Sequence, residues 1–221
     1  KWAGGVPGNG DTAIVNSGSV LLTNETAATL AMLSMSGGTL TMSNWTTRIQ
    51  ATEVWITNSA QITLPPAFTN SVMSNRVWIV CSNLTLAAAA SINVDGKGWS
   101  GGFGSLYPVG AYGSGPGGGN KDYAGGAYGG RGGDGGGAGG IPYGSAEAPL
   151  DPGSGGGAEG TPGWLGGHGG GAVWIDATGN VTGNGTITAN ATGYQDSSGA
   201  GGGIYINCRT FAGNGGTVRA I

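Results

Sequence analysis

Charge is scarce in this 221-residue chain: 8 Lys and Arg, 11 Asp and Glu, and a single His, for a net charge of −3. The isoelectric point near 4.9 leaves no basic field to attract nucleic acid or anionic lipid. Long apolar runs are also missing, and nothing approaches the roughly 18 consecutive residues a membrane-spanning helix needs. The acidic residues are spread singly rather than paired, which removes the usual sign of a polysaccharide-cleaving carboxylate pair about 6.5–9.5 Å apart. With only 2 cysteines there is no disulfide scaffold. Helix-period patterning is nearly absent.

Glycine fills the composition instead: 52 residues, against an average usage of about 7%. The glycines follow no strict Gly-X-Y period over the whole chain, which excludes collagen. Between them runs a recurring phrase, Val54-Trp55-Ile56, Val77-Trp78-Ile79, Val173-Trp174-Ile175 and Ile204-Tyr205-Ile206. Its period-2 alternation turns the branched aliphatics to one face of a strand and the ring to the other. Short strands with Gly and Asn corners fill the rest, such as Thr12-Ala13-Ile14-Val15, Val20-Leu21-Leu22 and Thr39-Leu40-Thr41-Met42.

Leu40-Thr41-Met42, Ile62-Thr63-Leu64 and Leu84-Thr85-Leu86 recur at intervals of 22 residues, and a further strand is read at Ile92-Asn93-Val94, Ile187-Thr188-Ala189 and Val218-Arg219-Ala220. This predicts an all-β right-handed parallel β-helix, with three-strand coils of about 22 residues. Residues 1–94 are expected to form N-terminal coils, 95–171 a glycine-rich excursion packed on them, and 172–221 C-terminal coils. The excursion carries Gly129-Gly130-Arg131-Gly132-Gly133-Asp134 in triplets, together with aromatics such as Trp99, Phe103, Tyr107, Tyr128, Tyr143 and Trp164. Glycine triplets can form strands with three residues per turn that bundle side by side, and the aromatics argue for packing over a loose linker.

Candidate chemistry is thin. Gly96-Lys97-Gly98-Trp99-Ser100-Gly101 matches the dinucleotide fingerprint, but no helix follows to hold a pyrophosphate. Gly167-His168-Gly169 stands without partner carboxylates. Asp176 with Asp196, and Glu53 with Arg76, read as solvated pairs. Asp122, Asp134 and Asp151 lack the regular spacing of calcium repeats, and Thr-x-Thr pairs at Thr39/Thr41 and Thr186/Thr188 are too few for an ice-binding array. No cofactor, metal or catalytic residue is assigned, and no enzyme activity is expected. Cys81 and Cys208 follow equivalent strands with a coil between them, farther apart than the roughly 7 Å a disulfide spans, so two thiols are expected. Asn24, Asn44, Asn83, Asn180, Asn184 and Asn190 head Asn-x-Thr sequons. They are candidate glycosylation acceptors in a secreted eukaryotic chain, or simply strand and turn residues.

The opening Gly-Val-Pro-Gly turn, the alternating strands, and the run Gly169-Gly170-Gly171-Ala172-Val173-Trp174-Ile175 resemble glycine-rich right-handed parallel β-helix surface proteins of the adhesin type. The triplet section is similar to the polyglycine II bundles of tailed-phage adhesins and small antifreeze proteins. The resemblance implies an extracellular or cell-surface structural role and supplies no catalytic residues. Trp55, Trp78, Trp174 and Tyr205 are expected to form an outward aromatic ladder. The glycine-rich segment, another protomer or a glycan could cover it. The expected role is a non-catalytic subunit of a filament or appendage assembled end to end, because Val218-Arg219-Ala220-Ile221 brings no polar cap. A glycan- or receptor-binding module is the alternative, and a polysaccharide lyase or hydrolase fragment the third.

Overall fold

The computed structural model describes residues 6–23, 28–69, 71–104, 111–194 and 197–221. Among them are strands and turns but no helix, and so none long and apolar enough to cross a membrane. The strands are β1 (Thr12–Val15), β2 (Ser19–Leu22), β3 (Leu30–Met35), β4 (Thr39–Met42), β5 (Ile49–Ile56), β6 (Gln61–Thr63), β7 (Val77–Leu86) and β8 (Ser91–Asn93). After the glycine-rich stretch come β9 (Val173–Ala177), β10 (Asn180–Gly183), β11 (Thr186–Thr188), β12 (Ile204–Asn207), β13 (Thr210–Ala212) and β14 (Thr217–Arg219).

All named strand pairs are parallel, and the chain alternates between two sheets. One runs β1-β3-β5-β7-β10-β13, with β9 and β12 extending the lateral path from β7; the other runs β2-β4-β6-β8-β11-β14. Buried columns cross the strands: Leu40, Ile62, Ile92 and Ile187 are each in register with the next, and all are at most 4% exposed. A second column, Leu33–Val54–Leu84–Val181, is equally dry. Each residue of these columns packs on its equivalent above and below, so the core is continuous along the stack.

This arrangement departs from the sequence reading in two ways. Where three separate strands per coil are expected, two sheets are found, because β5 and β7 run without a break through two inward-facing segments. A phase slip marks the bend inside each: Thr52 and Glu53, and likewise Ser82 and Asn83, are consecutive residues off the core, between buried Ala51 and Val54 and between buried Cys81 and Leu84. Between β9 and β10 the bend takes three residues instead, Thr178, Gly179 and Asn180, between buried Ala177 and Val181. The uniform coil of about 22 residues also fails. Leu33 faces Val54 and Leu40 faces Ile62, but Ile62 faces Ile92 and Val54 faces Leu84. The segment from Pro65 to Arg76 lengthens this connection, so Leu84 stacks in the other sheet from Ile62.

Corners are held by asparagine. The Asn83 carboxamide accepts from the Asn180 backbone N–H at 2.9 Å, and Asn184 accepts from that of Asn214 at 2.6 Å. Asn58 donates to the Ser36 carbonyl and has φ 52°, a left-handed conformation that asparagine tolerates better than most residues.

The described residues of the glycine-rich stretch between β8 and β9 are held together by backbone hydrogen bonds. Residues 153–158 are all buried. Gly153 and Gly156 donate to the carbonyls of Gly170 and Gly167, Ser154 and Gly157 to Ala127 and Ala124, and Gly155 and Ala158 to Ser114 and Ala111. The recipient segment changes with each residue and returns at every third, as a chain with three residues per turn requires. The carbonyls of Gly153, Ser154 and Gly155 accept from Trp99, Ala200 and Gly119. Residues 153–158 are therefore the centre of a bundle, and Ala200 shows that the bundle recruits chain beyond residue 171.

Candidate functional site

The off-core row on the first halves of the long strands is built by register. Trp78 lies opposite Trp174, and Trp174 opposite Tyr205. Ile49 faces Ile79, which sets Arg48 beside Trp78. The Trp78 and Trp174 rings stack with centroids 4.6 Å apart and planes 5° from parallel. Trp55 is not part of this row. It is in register with Ser34 and Thr85, 46% exposed, because its Val-Trp-Ile phrase occupies the second half of β5 while that of Trp78 occupies the first half of β7.

Over the stacked pair lies Arg76. Its guanidinium carbon is 4.4 Å from the Trp78 centroid, 4.9 Å from that of Trp174 and 4.6 Å from that of Trp45. Arg48 approaches Trp78 to 5.1 Å. Arg76 is only 8% exposed, has no carboxylate partner among the described residues, and its pKa is lowered by burial. Aromatic faces stand in for a counter-ion here. Arg76 Nε, Arg48 Nε, Trp78 Nε1 and Trp174 Nε1 are buried without an acceptor among the described residues.

Arg76, Arg48 and Trp45 thus cover part of the aromatic row, contributors the sequence reading does not anticipate. That reading pairs Arg76 with Glu53, whereas the Glu53 carboxylate accepts from Asn83 Nδ2 at 2.8 Å. The available signal was position: Arg76 immediately precedes the Val-Trp-Ile phrase, so the chain delivers its side chain to the strand start.

Other charged groups have local structural tasks. Asp95 accepts from the Asn190 backbone N–H, Asp176 from Asn207 Nδ2, and Asp11 from the Gly8 N–H. His168 Nδ1 accepts the Gly101 N–H at 2.9 Å, which leaves the neutral ring its proton on Nε2; burial, then the Lys97 charge, lowers its pKa. Asp196, Tyr107 and Asn24 lie outside the described residues. Of the other sequon asparagines, Asn44 and Asn180 are exposed and Asn83 and Asn184 half-buried. Asn190 is buried at 7% exposure, with its carboxamide oxygen accepting from the Ile221 N–H.

Cys81 and Cys208 are both free thiols. Cys81 faces Ala177, and the β9–β12 register continues from Asp176 opposite Asn207 to place Cys208 beyond that alanine. Burial, with the charges of Glu53 and Asp176, pushes the Cys81 pKa up to about 12. At pH 8 about one molecule in ten thousand carries its thiolate. A thiol-reactive disulfide reagent should therefore titrate one fast thiol, Cys208, in the native protein and two after denaturation. Two fast native thiols would contradict this packing.

No protein-family model, no curated protein and no solved structure matches this chain.

Proposed function

We propose that this chain is a non-catalytic, extracellular structural protein. In this reading it is a right-handed parallel β-helix of three-faced coils carrying a polyglycine II bundle, and it acts as a stacking unit of a surface filament or appendage. The right hand follows from the strong bias of parallel β connections.

The observation that carries the reading is the continuity of the core columns: Leu33–Val54–Leu84–Val181–Phe211 and Leu40–Ile62–Ile92–Ile187–Val218 run through parallel strands in one register. Such a ladder of stacked apolar residues is extended by further strands in the same register, and a second copy of this chain presents that register. Two exposed sequon asparagines, Asn44 and Asn180, accord with an extracellular setting.

The test is the association state of the 221-residue chain by light scattering and negative-stain microscopy. Concentration-dependent rods are expected, lost in Val218→Lys, which puts a charge into the second column. A chain that stays monomeric over a wide concentration range overturns the proposal.

A further inference from the structure

Trp45 does more than rest against Arg76. It also lines an open cleft of about 710 Å³, together with Thr69, Ser71, Trp99, Ser114 and Gly115. That volume lies within the roughly 300–1,000 Å³ of small-ligand sites. None of the described lining residues is charged. Trp99 is 4% exposed, packs on Phe68 with ring centroids 4.6 Å apart and planes tilted by 55°, and keeps a buried indole N–H with no acceptor among the described residues. Gly115, at φ +100°, makes the close approach possible: a Cβ there would lie 2.6 Å from Trp99 Cγ.

We propose that this cleft binds a neutral hexose oligosaccharide. An indole offers a flat apolar surface to the C–H face of a pyranose, and the hydroxyls of Thr69, Ser71 and Ser114 offer exchangeable hydrogen bonds to its OH groups. The Arg76 guanidinium against Trp45 holds the ring in place before a ligand arrives, which lowers the ordering cost of binding. An uncharged lining provides no ion pair for a uronate or sulfated sugar and leaves a neutral one nothing charged to desolvate. The proposal is independent of filament assembly, since the cleft sits at the side of the stack.

Calorimetric titration with cellohexaose, laminarihexaose and mannohexaose, with a polygalacturonate hexamer for comparison, tests it. At least one neutral hexamer should bind saturably at one site, and the acidic one at least ten-fold more weakly. Trp45→Ala and Ser71→Trp should each weaken binding at least ten-fold, while Trp55→Ala, an exposed indole elsewhere, leaves it unchanged. Ser71 is exposed, so Ser71→Trp fills the cleft with Trp45 still on Arg76, and an unaltered melting curve separates a blocked site from an unfolded one. The proposal is overturned by absence of binding to all three neutral hexamers, by equal or tighter binding of the acidic hexamer, or by binding that survives Ser71→Trp.

Discussion

Replacing Arg76 with alanine should lower stability by about 2–4 kcal/mol, in the range for deleting a large buried side chain. Two opposed effects set the size. The guanidinium lies within 5 Å of three indole centroids, and each such contact contributes roughly 0.5–2 kcal/mol. Against them stands desolvation of a charge with no carboxylate partner, the same burial that lowers the pKa. Most of the loss therefore belongs to the cover, the aliphatic stem and flat head lying on Trp78 and Trp174. Arg76→Met keeps an unbranched side chain in that place without charge, and should recover most of the stability. Urea titrations followed by tryptophan fluorescence measure the difference. An alanine variant equal to the parent would mean the indoles need no cover. A methionine variant as unstable as alanine would mean that the charge, rather than the cover, holds the cluster.

Arg76 also shows where the sequence stops being readable. Alternation says which residues turn inward, and the buried columns through Leu40, Ile62 and Ile92 consist of residues that alternation selects. It is silent on level. Period-2 patterns survive any shift by two residues, so Val54-Trp55-Ile56 and Val77-Trp78-Ile79 look equivalent although one lies after the bend of its strand and the other before it. The bend does leave a trace, in the paired off-core residues Thr52-Glu53 and Ser82-Asn83, but two consecutive polar residues read equally well as the end of a strand. Connection length was hidden for a related reason: the sequence between Pro65 and Arg76 has no period, and its described residues belong to no named strand. The cluster over Trp78 joins Trp45 and Arg48 from the connection between β4 and β5 with Arg76 from the connection between β6 and β7. Once the true register is known, Arg48 falls beside Trp78 without further assumption.

The glycine bundle sets the other large expectation, because there the backbone itself is the packing surface. Gly155 is not among the glycines in the left-handed region, so its need for glycine is spatial. An added Cβ would sit 2.1 Å from the Ser100 carbonyl oxygen and 2.5 Å from its carbon. Those atoms are backbone, fixed in turn by the bond from Ser114 N to Ser100 O at 2.8 Å, and cannot rotate aside as a side chain would. Gly155→Ala should therefore separate the central segment from residues 99–102, breaking the bonds from Trp99 to Gly153 and from Gly102 to Gly156. The expected cost is at least about 3 kcal/mol, the upper part of the range for overpacking. Gly133→Ala is the matched control: nothing lies within 4 Å of its added Cβ, and a change within about 0.5 kcal/mol is expected. Hydrogen exchange at residues 153–158 locates the damage, since the core columns of the two sheets do not depend on Gly155 and their amides should stay protected. Equal stability of the two variants would show that the bundle is loose enough to admit a methyl group. Loss of protection throughout both sheets in Gly155→Ala would show instead that bundle and sheets unfold as one cooperative unit.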